Sequence, residues 1–133
     1  MSKHIQLIKV AIEARERARA PYSNFNVGAA LLTSTGETIT GANVESASYG
    51  LSCCAERITI FKALTEGHNV FEALAIASPG GAAPCGACRQ VIAEFTPKAD
   101  LLLIDTDNSD SIHKTSIFTL LPMPFTGDNL PSN

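Results

Sequence analysis

Cys54-Ala55-Glu56 and Pro84-Cys85-Gly86-Ala87-Cys88 lie far apart along the chain, yet their chemistry makes sense only as one site. In a C-x-E and P-C-x-x-C pair, three thiolates can hold one zinc ion, water can take the fourth position, and a carboxylate stands beside the metal without ligating it. Any fold this chain adopts must bring the two segments together. A structural zinc site is closed by four protein ligands, whereas one that activates water keeps three. Four cysteines are present, but Cys53 and Cys54 are neighbours, and on a helix their side chains would point about 100° apart. Three ligands is therefore the expected number. His4, His68 and His113 stand away from both halves of the motif and read as surface or solvated side chains.

Composition narrows the class. At 133 residues the chain can bury a core of its own, and it reads as one catalytic domain spanning 1–133. Hydrophobic residues reach 45% against 17% charged, with a mean hydropathy of +0.12, which leaves little room for disorder. Net charge is −3 and Lys and Arg form no stripe, so nucleic acid is an unsuitable partner and a neutral small molecule a better one. Lys3, His4 and Lys9 interrupt the N-terminal stretch, and no apolar run approaches the roughly twenty residues that cross a bilayer. A cytoplasmic location without membrane contact is expected. There, cysteines at metal spacing read as ligands rather than disulfides.

Hydrophobic periodicity gives the elements. Ser2 can cap a first helix whose apolar face is Leu7, Ile8, Ala11, Ile12, Ala14 and Ala18, with Pro21 ending it. Val27 to Thr33 and Glu37 to Asn43 read as strands joined by a turn at Ser34-Thr35-Gly36. Ser52 to Glu66 reads as a second helix that buries Ile58, Ile60 and Phe61 and stops at Gly67. Phe71 to Ala77 follows as a strand, Gly86 to Phe95 as a helix and Leu101 to Asp105 as a strand, then a short strand near Ile112 and a helix from Ser116 to Leu121. Strands interleaved with helices imply a mixed sheet with helices on its faces.

Around the metal motif the chain resembles the small, zinc-dependent cytidine deaminases. The matching stretches are Ala20-Pro21-Tyr22-Ser23, Phe25-Asn26-Val27-Gly28-Ala29-Ala30-Leu31, Gly41-Ala42-Asn43-Val44-Glu45, Ala47-Ser48-Tyr49-Gly50, Cys54-Ala55-Glu56-Arg57, Pro84-Cys85-Gly86-Ala87-Cys88-Arg89-Gln90 and Leu120-Leu121-Pro122. The resemblance implies an α/β class fold, a three-layer α/β/α sandwich with a five-stranded mixed sheet, and places both motif halves at helix N-termini. It sets the register: the first ligand stands two residues before the glutamate, so Cys54, Cys85 and Cys88 hold one Zn²⁺ per subunit and Cys53 packs behind. Three thiolates leave the site formally negative, and the resemblance implies that Arg57 and Arg89 hydrogen-bond them and draw off charge.

The implied reaction is hydrolysis of cytidine and deoxycytidine to uridine and deoxyuridine with release of ammonia. Glu56 is the expected proton shuttle, since cytosine C4 needs N3 protonated before attack and the amine needs a proton before it leaves. By the same resemblance Asn43 and Glu45 bind the ribose, Phe25 packs against the base, Ala55 adds a nucleoside contact, and Tyr49 and Phe125 complete a neighbour's site in a homotetramer. Three other readings share parts of the pattern. A deaminase of aminonucleoside antibiotics such as blasticidin S has both metal halves, but Asn43, Glu45 and Tyr49-Gly50 favour cytidine. A non-catalytic zinc-binding module leaves Glu56 and the vacant fourth coordination position without a purpose, and a redox protein using Cys85 and Cys88 is separated by a zinc assay.

Overall fold

The computed structural model describes residues 2–108 and 110–131, with the side chains of residues 2 and 3 outside that set. The cap expected of Ser2 therefore lies outside the described residues. Helix α1 (Ser2–Ala14) is followed by β1 (Gly28–Thr33), β2 (Thr38–Ala42), α2 (Ala55–Thr65), β3 (Phe71–Ser78), α3 (Gly86–Phe95), β4 (Asp100–Asp105), β5 (Ile112–Thr115) and a short α4 (Ile117–Leu120). The five strands form one sheet in the order β2-β1-β3-β4-β5. Only β3 and β4 run parallel, as expected of a pair joined by a crossover helix, here α3; the other neighbours are antiparallel.

Strand alternation explains the layers. On β1, β3 and β4 the residues Leu31, Leu74, Ile76, Leu101 and Leu103 face one way, into a core with Ile60 of α2, Ile92 of α3 and Ile117 of α4. The alternate positions Ala30, Ala73, Ala75, Ala77 and Ile104 face the other way and pack on Leu7 and Ala11 of α1. Because β3 offers only alanines on this side, α1 can lie close against the sheet centre. This is the expected α/β/α sandwich with a five-stranded mixed sheet.

Three local expectations are corrected. The first helix does not run toward Pro21: after Ala14 a single 3-10 turn covers Arg15–Arg17, and Ala18 is already extended. Arg19 is drawn into backbone pairing, its N–H donating to Asn43 at 2.9 Å while its carbonyl accepts from Glu45 at 2.8 Å. The second helix begins at Ala55 rather than Ser52, because Cys53 and Val44 exchange backbone hydrogen bonds at 2.8 and 3.0 Å and Cys54 is the N-cap. Phe61 is exposed rather than buried, since the buried stripe of α2 passes through Ala55, Glu56, Thr59, Ile60 and Ala63. Its ring instead meets Phe95 edge-on, with centroids 6.5 Å apart. Gly67 does stop α2, at φ 97°, a left-handed conformation natural to glycine. At Gly41 a Cβ would collide with the Thr59 hydroxyl, so glycine lets α2 seat directly on β2.

Candidate active site

Two helix N-termini meet at the edge of the core. Cys54 is the N-cap of α2 and Cys85 the N-cap of α3, and the Cys85 sulfur accepts from the Cys88 backbone N–H at 3.5 Å. The Sγ atoms of Cys54, Cys85 and Cys88 lie within 4.8 Å of one another, and those of Cys54 and Cys85 are 3.8 Å apart. Cys53 is outside this cluster. The reason differs from the helical one expected: neither Cys53 nor Cys54 lies in the helix, and successive side chains of extended backbone point to opposite sides.

Within the cluster Cys54 and Cys88 are driven in opposite directions. Cys54 is pushed down to about 5, chiefly because the Cys88 thiol donates to it, with the Arg57 guanidinium donating at 3.5 Å and burial opposing both. Cys88 moves up, being that donor and being buried beside Glu56. The Arg57 charge is in turn held by the Cys54 sulfur, while its Nε is buried without a hydrogen-bond partner among the described residues. Cys53 moves up through burial. Helix N-termini favour thiolates in the same sense.

Glu56, in the first turn of α2, is only 5% exposed. Burial pushes its carboxyl up to about 7, with the neighbouring Cys54 adding to the shift and Arg57 opposing it. The carboxyl faces a cleft of about 310 Å³ that also collects Phe25, Asn43, Glu45, Cys54 and Cys85. The two motif halves and the Asn43/Glu45 pair thus share one cavity.

Asn43 and Glu45 stand on irregular chain just after β2, and hydrogen bonds hold both. The Asn43 amide accepts from Val27 N–H at 2.9 Å and donates to the Phe25 carbonyl at 2.8 Å, which fixes the segment that carries the Phe25 ring. Glu45 accepts from the N–H groups of Tyr22 and Ser23, each at 3.1 Å, and from the Ser23 hydroxyl. That hydroxyl is the main reason its carboxyl lies below the usual range.

Residues 1–102 match the family model described as the cytidine and deoxycytidylate deaminase zinc-binding region. The chain is 48% identical to a cytidine deaminase of Halalkalibacterium halodurans over 126 residues, covering 93% of this chain and 95% of the relative. The chain belongs to the cytidine deaminase family. Among solved structures, cytidine deaminase from Burkholderia pseudomallei superposes with a TM-score of 0.86 at 47% identity, covering 92% of this chain and 98% of that one. A blasticidin-S deaminase of Bacillus cereus is more distant, at 29% identity over 132 residues.

Zinc, the cofactor of this deaminase family, fits the donor set. Zinc–sulfur bonds of about 2.3 Å in a tetrahedron place two sulfurs about 3.8 Å apart, the separation of Cys54 and Cys85. Other expected site residues lie further out. Ala55 is fully buried and does not line the cleft. Arg89 is not bonded to sulfur: its guanidinium donates to the carbonyls of Pro84 at 2.8 Å and Leu120 at 2.9 Å. Tyr49 is 75% exposed and meets Tyr22 edge-on at 6.0 Å, in a groove that shares Ser23 and Glu45 with the cleft. Phe125 does not reach the cleft and is 59% exposed.

The motif reading missed part of the lining. Ser78, Ala82 and Ala83, from the end of β3 and the loop before Cys85, complete the cleft. That loop is pinned by Ala82 N–H donating to the Ser78 hydroxyl at 3.0 Å and Gly80 N–H to Asp105 at 2.9 Å. The available signal was Gly80-Gly81, a turn that leads straight into Pro84-Cys85. As for the histidines, His68 lies 3.4 Å from Glu37 and is not part of the metal cluster.

Proposed function

We propose that this chain hydrolyses cytidine and deoxycytidine: water adds at C4, the C4–N4 bond breaks, and uridine or deoxyuridine leaves with ammonia. The observation that carries the reading is the convergence, in one cleft, of a buried glutamate, Cys54 and Cys85 of the cysteine cluster and a second carboxylate held by loop donors. Cys54, Cys85 and Cys88 would hold the zinc, whose Lewis acidity makes water nucleophilic at neutral pH. Glu56 is the proton carrier. It takes a proton from water and delivers it to N3 as C4 is attacked, then takes the proton of the new C4 hydroxyl and gives it to the departing amine, which leaves C4 as a carbonyl. Its burial keeps bulk water from intercepting the transfers. Arg57 donates to Cys54 and offsets the excess negative charge of three thiolates.

Phe25 lies along the base, and Glu45 accepts from a ribose hydroxyl. Asn43 acts on the sugar side mainly by fixing the Phe25 segment, since both ends of its amide are already bonded there. Tyr49 and Phe125 point outward, as suits residues that complete a second copy's cleft in a homotetramer, and Leu51 at 76% and Met123 at 90% exposure add apolar surface for such contacts. Four free cysteines suit a reducing, cytoplasmic setting; no described helix is long and apolar enough to cross a membrane. The whole chain works as one catalytic unit.

Ammonia release from cytidine, deoxycytidine, CMP, cytosine, adenosine and blasticidin S tests the reading. Turnover of the first two is expected. Turnover of blasticidin S alone would move the chain to the antibiotic deaminases.

A further inference from the structure

Phe125 is held at an exposed position by bonds to its main chain rather than by packing of its ring. The Gln90 carboxamide makes a matched pair with it: Phe125 N–H donates to Gln90 Oε1 at 2.9 Å, and Gln90 Nε2 donates to the Phe125 carbonyl at 2.9 Å. A side-chain amide thus plays the part a neighbouring strand would play, on a stretch of chain without regular structure. The next residue is fixed as well. Thr126 caps a 3-10 turn, its N–H donating to Asn129 Oδ1 at 2.8 Å within a reciprocal capping box. These two anchors fix the main chain on both sides of Phe125 and so the direction in which its side chain leaves the backbone, with 59% of the residue exposed.

We propose that Gln90 is a positioning residue for nucleoside binding: it ties the Phe125 segment to α3, the helix that begins at Cys85, and so aims the ring at a second copy's cleft. This rests on the reading of Phe125 given above. A carboxamide suits the task because it offers one donor and one acceptor to a single peptide unit. A carboxylate of the same size keeps the acceptor and turns a second oxygen toward the Phe125 carbonyl.

The test compares Gln90→Glu, Gln90→Met, Phe125→Ala and the double variant Gln90→Glu/Phe125→Ala in the full-length zinc enzyme. Zinc content, light scattering, kcat and KM for cytidine are measured for each. Gln90→Glu should raise KM roughly three- to tenfold, the span of one or two lost hydrogen bonds, with kcat and zinc at parental values. Gln90→Met, which loses the bonds without adding charge, should give a smaller shift in the same direction. The double variant should be no worse than Phe125→Ala alone. A raised KM in Phe125→Ala with parental KM in both Gln90 variants would overturn the clamp and leave the Phe125 reading standing. Parental KM in Phe125→Ala would overturn both. Additive effects in the double variant, or a fall in zinc and kcat with KM unchanged, would assign Gln90 to the integrity of α3 instead.

Discussion

The cleft has two walls built on different principles. The metal wall is made of helix starts: Cys54 and Cys85 are N-caps, while Glu56 and Cys88 sit in the first turns of α2 and α3. The opposite wall, the one proposed to hold the sugar, is made of irregular chain, where Asn43 and Glu45 are held by bonds to Phe25, Val27, Tyr22 and Ser23. Regular backbone fixes the first over a few residues of sequence. The second depends on partners many residues away, with |i−j| from 16 to 23. In the proposed function, chemistry that tolerates no misplacement is thus carried on helix termini, and recognition on a surface whose bonds can be altered singly.

Variants should separate the walls, and the largest effect is expected at the metal. Cys54→Ser should strip most of the zinc and cost more activity than the ~10–100-fold typical of losing an outer partner of a metal site, as read by elemental analysis and ammonia release. Full zinc in Cys54→Ser, with zinc lost from Cys53→Ser, would reverse the ligand assignment. Asn43→Ala leaves the Val27 N–H and Phe25 carbonyl unpaired. At about 1–3 kcal/mol for such groups, a melting temperature lower by several degrees is expected, together with a higher KM. An unchanged melting temperature would mean that water replaces the amide at no cost, and that the Phe25 segment is held by something else.

A smaller effect is expected for Ser23→Ala, which removes one of the three donors to Glu45. KM should rise roughly three- to tenfold, the span of one ordinary, solvent-exposed hydrogen bond, with kcat and zinc unaltered. A fall in kcat at constant KM would mean the walls are not separable in this way. Cys53→Ser marks the low end, with zinc and turnover staying within about twofold, as for substitutions away from special features.

Strands and layers were legible in the sequence because runs such as Ala73–Ala77 and Leu101–Ile104 are buried on both faces and leave no polar break. The metal wall was legible for a related reason: its ligands are spaced by the geometry of helix starts, which is local. What was not legible depends on pairing between distant segments. The start of α2 at Ala55 follows from Cys53 bridging to Val44, and the early end of α1 from Arg19 bridging to the same segment. Phe61 reads as core by type, but the stripe facing the sheet is filled by Thr59, Ile60 and Ala63. Arg89 follows its motif half as Arg57 does, yet the carbonyl of Leu120, remote in sequence, captures its guanidinium. The bonded amides of Asn43 and Gln90 belong to the same group, since both act on main chain that sequence patterns do not place.

The central claim is that a buried carboxyl beside a three-thiol zinc site moves the protons of the reaction. Glu56→Gln keeps the size and position of the side chain and removes only its capacity to take and give a proton. Zinc content, nucleoside binding and single-turnover ammonia release measured on one preparation test that directly. Zinc and binding at parental levels, with release slowed by the roughly 10²–10⁴-fold typical of a general acid–base residue, is the expected result. Release within tenfold of the parent, at full zinc occupancy, would contradict it.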